Sequence, residues 1–166
     1  MMAYSILTPV RFCSLQEHKG ITALCVAAGM GKNDIVKIFL ENGADVDKVT
    51  EDGETSLLFA SQNGHLNVVK YLVEEGKAEV DKAKNDGQAP LYVASGKGHL
   101  EIMKCLVEEG EADVDKARDT GATTLCAASA NGHLKVVKVL VEVGNADLNK
   151  ALPMAILSGK EEMSTT

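Results

Sequence analysis

Apolar residues recur along this chain in two alternating helical patterns. The first places a leucine and an alanine three positions apart, as in Leu24 and Ala27, which puts both on one face of a short helix. The second places apolar residues at positions i, i+3 and i+4, as in Val36, Phe39 and Leu40, which is typical of a longer amphipathic helix. Both patterns occur four times in the same order. The sequence therefore predicts four helix pairs.

The four helix pairs follow a regular repeat. Matching segments begin at Gly20, Gly53, Gly87 and Gly121, which are separated by 33, 34 and 34 residues. A period of this length that is sustained over four copies is a signature of a solenoid, in which each unit covers the apolar face of its neighbour. We therefore predict one domain built by stacking of similar units.

The segment AAGMGKND, residues 27 to 34, has the glycines and the lysine of a phosphate-binding loop. Such a loop needs the pattern GxxxxGK[ST], so that backbone amides surround the phosphate and a hydroxyl reaches magnesium. With Gly31 and Lys32 as its GK pair, the first glycine would be Val26 and the hydroxyl residue would be Asn33. The same junction recurs at Gly64-His65, Gly98-His99 and Gly132-His133. We interpret it as a turn between two helices, where glycine adopts a conformation that side chains resist.

The recurring segments, such as GITALCVAAGMGKNDIVKIFLENGADVD, follow the frame GxTPLxxAxxxGHxx[IV]VxxL[LV]xxGADV[ND]. This frame resembles the ankyrin repeat. The resemblance covers residues 19–150 in four units, which we place at 19–51, 52–85, 86–118 and 119–150. It implies an all-α ankyrin-repeat solenoid of stacked helix-turn-helix units with β-hairpin fingers at 47–53, 81–87 and 115–121. Fingers and first helices would line a concave groove.

The chain departs from the frame at its ends and within the units. Residues 1–18 fit no unit, and we expect them to form a degenerate N-terminal cap or a disordered segment. For residues 151–166 we expect a truncated capping repeat and a polar tail. A hydroxyl that would cap the first helix is absent at Ala89 but present at Thr22, Thr55 and Thr123. A glycine is expected to end each second helix, at Gly43, Gly76, Gly110 and Gly144. One extra residue follows in the later units: Lys77, Glu111 and Asn145.

Composition and charge narrow the class of partner. A net charge of −7 and a pI near 5.1 argue against nucleic acid or an anionic membrane. No run of 18 apolar residues is present, so we expect no membrane insertion. The first residues lack the basic start and continuous apolar block of a secretory signal, and the four cysteines fit no zinc or disulfide framework. We expect an intracellular, cytoplasmic protein that is monomeric.

The residues that could carry chemistry form no catalytic, cofactor or metal site. One histidine per unit recurs at His65, His99 and His133, but packed helices lie roughly 8–10 Å apart. Equivalent histidines on stacked units are therefore too far apart to share a zinc ion, whose ligand nitrogens lie about 2.0–2.1 Å away. The imidazoles are expected to form hydrogen bonds across the turns instead. Cys25 and Cys126 lie in the first and fourth units and lack a neighbouring base, so we predict no enzyme activity.

The remaining positions vary between units on the finger and first-helix side, and they define the predicted partner-binding surface. These residues are Val49, Glu51, Asp52, Glu54, Gln62, Asn85, Asp86, Gln88, Tyr92, Lys97, Arg118, Asp119, Thr120 and Asn131. By the resemblance, they would face a protein partner, whose identity the sequence does not name. The leading hypothesis is a non-enzymatic scaffold that binds another protein through the concave face. The alternative is an ankyrin segment of a larger multidomain protein, such as an enzyme or channel, with a regulatory or positioning role.

Overall fold

The protein is a stack of helix pairs. The structure, a computed structural model, describes residues 20–150, which contain eight α-helices and no strands. The helices are α1 (Ala23–Gly29), α2 (Asn33–Glu41), α3 (Ser56–Asn63), α4 (Leu66–Glu74), α5 (Pro90–Gly96), α6 (Leu100–Glu108), α7 (Thr124–Ala130) and α8 (Leu134–Glu142). Each consecutive pair, beginning with α1 and α2, is called a unit below. First helices pack in one row and second helices in another, in chain order. The predicted all-α solenoid is confirmed.

The first helices begin at the predicted hydroxyl caps. The side chains of Thr22, Thr55 and Thr123 accept hydrogen bonds from backbone N–H groups three residues ahead, at 3.1, 3.1 and 3.4 Å. These bonds satisfy one of the N–H groups that the start of a helix leaves without an internal partner. The helix α5 follows Ala89, which offers no such bond, and it begins with a proline at its first position.

The core runs between the two rows of helices. The leucine and the alanine of each first helix are buried in all four units: Leu24 and Ala27, Leu57 and Ala60, Leu91 and Ala94, Leu125 and Ala128. From the second helices, Val36, Val69, Met103 and Leu140 are almost fully buried. The small alanines allow neighbouring helices to approach closely, as the sequence pattern predicts.

The second helices end differently from the prediction. Only in the first unit does the glycine, Gly43, take a left-handed conformation, with φ 81°. In the later units the extra residue takes it instead: Lys77 (φ 53°), Glu111 (φ 53°) and Asn145 (φ 49°). The inserted residue shifts the left-handed position one step along the chain, so the glycine is no longer where positive φ is needed.

The fingers are tight turns rather than paired strands. In the first finger, the N–H of Gly53 donates to the carbonyl oxygen of Thr50 at 2.9 Å, and the N–H of Thr50 donates to that of Glu54 at 3.0 Å. The second and third fingers repeat both bonds. Adjacent fingers are also linked, because the N–H of Asn85 donates to the carbonyl oxygen of Asp52 at 2.9 Å. Two such bonds close a turn but do not extend into a hairpin.

Carboxylates fasten each unit to the next. The side chain of Asp81 accepts hydrogen bonds from the backbone N–H of Asp113 at 3.1 and 3.2 Å. Asp47 and Asp115 form the same bond one unit before and after, each with the residue 32 positions ahead. The same sequence separation recurs because equivalent residues of successive units are brought together by the stacking. The unit boundaries stay predictions, and the predicted cap within 1–18 and the truncated repeat at 151–166 lie outside the described residues.

Candidate functional site

A cleft of about 350 Å³ opens between the first helices of units two to four and the last two fingers. Five of the predicted partner-binding residues line it: Gln62, Gln88, Tyr92, Lys97 and Asn131. Its floor consists of small or apolar side chains: Val93, Ala122, Cys126, Ala127 and Ala130. The cleft thus joins an apolar floor to polar walls, which is the composition of ligand-binding depressions in general.

Tyr92, which lines the cleft, contacts Arg118 just outside the lining residues. The guanidinium carbon of Arg118 lies 5.7 Å from the centre of the Tyr92 ring, within cation–π range. The same guanidinium lies 3.5 Å from a carboxylate oxygen of Asp86, to which the ammonium of Lys84 approaches within 3.4 Å. The side-chain amide of Gln88 donates to this oxygen at 2.8 Å. These contacts hold the aromatic ring and its cation in place.

The environment of Asp86 favours its charged form. Partial burial, which raises the pKa of a carboxyl group, is outweighed by the backbone N–H of Gln88 and by the charges of Lys84 and Arg118. The pKa of Asp86 is therefore lowered from the ordinary 3.8. At neutral pH this carboxylate orients both cations.

Lys84 belongs to the cleft and was missed in the sequence. It precedes Gly87 by three positions, as Arg118 precedes Gly121. The repeat frame therefore gave Lys84 the same position as Arg118, which was among the predicted residues. In the first finger the corresponding residue is Thr50, which is buried.

Other predicted residues lie outside the cleft. Five are exposed on the fingers or just before them: Val49, Glu51, Asp52, Asp119 and Thr120. Glu54 departs from the prediction, because it is only 5% exposed and its side chain is not on the surface. Asn85 is exposed, but its amide donates to the carbonyl oxygen of Glu51 at 2.8 Å and links two fingers. This hydrogen bond gives the side chain of Asn85 a role in joining the fingers.

The histidines form the hydrogen bonds that the sequence predicts across the turns. Ring nitrogens of His65, His99 and His133 lie 2.9, 3.3 and 3.0 Å from backbone carbonyl oxygens of the preceding unit. Within residues 20–150, no group of three or more His, Cys, Asp or Glu side chains could hold a metal ion. No helix in that range is long and apolar enough to cross a membrane.

The environments of Cys25 and Cys105 hold these two thiols in their protonated form. Burial, the charge of Glu109 and a hydrogen bond to its carboxylate at 3.7 Å raise the pKa of Cys105 to about 12. Burial also raises the pKa of Cys25, against hydrogen bonds from Thr22 that lower it. Because the thiolate is the reactive species, neither thiol is an activated nucleophile.

Comparison with protein-family models settles the family. The model for ankyrin repeats (3 copies) matches residues 4–84 and 77–152. The chain belongs to the ankyrin repeat family. Ankyrin repeats generally mediate protein–protein interaction and are typically not catalytic.

The similar curated proteins are much longer than the matched region. The chain is 38% identical over 63 residues to the B-cell lymphoma 3 protein homolog of Mus musculus, and 40% identical over 62 residues to inversin of Danio rerio. It is also 40% identical over 53 residues to an L-asparaginase of Dirofilaria immitis. These matches span 37%, 36% and 32% of this chain but only 14%, 6% and 9% of the relatives.

Proposed function

We propose that this chain is a non-enzymatic interaction module that binds a partner protein through the cleft and the adjoining fingers, which together form its concave face. The observation that carries the proposal is the contact between Tyr92 of the cleft and the adjacent Arg118, next to an apolar floor. Tyrosine and arginine are the residue types that most often dominate binding energy at protein interfaces. Their mutual contact and the salt bridge to Asp86 reduce the entropy lost on binding, since the side chains are already ordered.

The fingers extend the proposed surface. The exposed residues Glu51, Asp52, Asp119 and Thr120 would contact a partner at the rim, where charges affect association rate more than affinity. We assign a reduced, cytoplasmic setting to the interaction, because the thiols of Cys25 and Cys105 are buried and form no disulfide.

A second candidate is a regulatory or positioning segment of a larger protein. It is favoured by one observation, that the relatives named above are matched over no more than 14% of their length. A transcript that encodes this chain fused to a catalytic or channel domain would support it. A full-length natural protein that ends at Thr166 would rule out this second candidate.

Affinity capture with matched variants tests the leading proposal. The bait Gln62→Ala/Tyr92→Ala/Lys97→Ala changes three cleft residues, and the control Lys138→Ala/Glu142→Ala removes an exposed ion pair of α8. We expect the cleft variant to lose the captured partner and the control to retain it, with both melting close to the wild-type temperature. A partner that binds the cleft variant as tightly as wild type would refute the proposed site.

A further inference from the structure

The walls of the cleft carry positive charge, although the whole protein is acidic. The chain has a net charge of −7, yet the charged residues that line the cleft are Lys84 and Lys97. Arg118 adds a third cation at the wall through its contact with Tyr92. Two of these cations, Lys84 and Arg118, share a single carboxylate oxygen of Asp86. The cleft therefore keeps an excess of positive charge.

Lys97 is the cation most available to a ligand. It follows α5, is exposed, and takes part in no ion pair within the described part of the chain. The acidic residues of the fingers, Glu51, Asp52 and Asp119, are not among the residues that line the cleft. An incoming carboxylate would therefore meet an ammonium group without first displacing an internal partner.

The polar amides of the cleft suit a peptide backbone. Gln88 and Asn131 each donate one amide N–H within the protein, to Asp86 and to the carbonyl oxygen of Ala127. Their amide oxygens thus remain as acceptors for the N–H groups of an extended segment. The floor offers only small or apolar groups, which match a small apolar side chain beside the acidic one.

We infer that the cleft binds an extended acidic segment of the partner protein. An aspartate or glutamate of that segment pairs with Lys97, its backbone donates to Gln88 and Asn131, and a small apolar neighbour contacts the floor. The inference rests on the proposed function, because it names the chemistry of the ligand that the same cleft would take. Charge complementarity supplies the specificity, since a basic segment would be repelled by three cations.

A peptide library tests this ligand chemistry directly. Random short peptides displayed on phage are selected on the full chain, and one selected peptide is titrated by fluorescence anisotropy. We expect Asp or Glu to be enriched next to a small apolar residue. Replacing that acidic residue with its amide should weaken binding about tenfold or more, and added salt should weaken the acidic peptide most. Selection of basic peptides, or of peptides with no charge preference, would overturn the inference.

A matched pair of charge reversals locates the contact. Lys97→Glu lies in the cleft, whereas Lys135→Glu makes the same change at an exposed position of α8. We expect Lys97→Glu to weaken the acidic peptide about tenfold or more, Lys135→Glu to leave it within about twofold, and a Lys-containing peptide to regain affinity for Lys97→Glu. Equal effects of the two reversals would contradict the assigned contact. So would displacement of the peptide by a single-stranded DNA oligonucleotide that binds more tightly.

The outcomes separate this inference from the proposed function. If a captured partner needs the cleft residues but neither Lys97→Glu nor an acidic competitor peptide affects its binding, the acidic ligand is wrong and the protein-binding cleft stands. If substitutions in the cleft leave partner binding unchanged, the proposed function itself is wrong.

Discussion

The imidazole of His133 covers Gly98 of the preceding unit, with its Nε2 atom 3.0 Å from the carbonyl oxygen of Gly96. A Cβ atom at Gly98 would lie 2.7 Å from the ring, closer than van der Waals contact permits. The glycine therefore serves two purposes, because it adopts φ 76° and leaves room for the histidine. The turn that resembles a phosphate loop in the sequence is a docking point between units.

Gly98→Ala should destabilise the protein more than Gly132→Ala does. Both glycines have positive φ (76° and 71°), so both substitutions cost about 1–2 kcal/mol from the left-handed conformation. Only at Gly98 does the new Cβ atom also collide with an imidazole, which overpacking data place at a further cost of about 1–3 kcal/mol. Denaturant unfolding gives both free energies. Adding His133→Ala should reduce the extra loss of stability caused by Gly98→Ala. Equal losses from Gly98→Ala and Gly132→Ala would contradict the contact between residue 98 and His133.

Two fully buried serines of α3 should respond to alanine in opposite directions. The hydroxyl of Ser56 donates to the carbonyl oxygen of Val46 at 3.0 Å, whereas that of Ser61 has no partner. Ser56→Ala should therefore cost about 1 kcal/mol, and Ser61→Ala should be neutral or stabilising by up to about 1 kcal/mol. The first unit already has Ala28 at the position of Ser61. A large loss on Ser61→Ala in chemical denaturation would show that its hydroxyl is bonded.

Lys77→Gly should stabilise the protein by about 0.5–1 kcal/mol. Lys77 has φ 53°, and relief of left-handed strain exceeds the entropic disadvantage of glycine in the unfolded chain. Asn145→Gly is the control at the equivalent position (φ 49°), where asparagine already tolerates this conformation and the gain should be smaller. The comparison needs only the shift in denaturation midpoint. A loss of stability at position 77 would mean that the lysine side chain makes contacts that outweigh the strain.

Asp86→Asn should destabilise the protein near pH 7 and have little effect in acid. The folded-state pKa of Asp86 is lowered from 3.8, so its contribution is present above that value and is lost as pH falls through the folded pKa. Unfolding midpoints of wild type and variant should converge once the pH falls below the folded-state pKa of Asp86, by this linkage. Removing one cation with Lys84→Met should shrink the difference at neutral pH. A difference that persists unchanged in acid would assign the loss to the hydrogen bond with Gln88 instead.

The fold could be predicted from the amino-acid sequence because the same packing pattern recurs in all four units. The spacing of Leu24 and Ala27, copied in every unit, predicted which faces are buried, and the hydroxyls at Thr22 and Thr55 predicted where helices begin. These features depend on contacts within about one turn of helix, which local periodicity records. The hydrogen bonds of His65 and its equivalents could also be predicted from the sequence, because every unit packs against a neighbour of the same kind.

The contacts among the variable residues, in contrast, depend on how the units stack and could not be predicted from the sequence. The cleft is lined by both Gln62 of unit two and Asn131 of unit four, and Arg118 contacts Tyr92, across separations that no local pattern encodes. The tertiary structure also buried Glu54, whose variable position had suggested a surface residue. The left-handed conformation is likewise found at Lys77 and not at the preceding Gly76. The length of the connection between stacked units, rather than residue preference, determines where the chain must reverse.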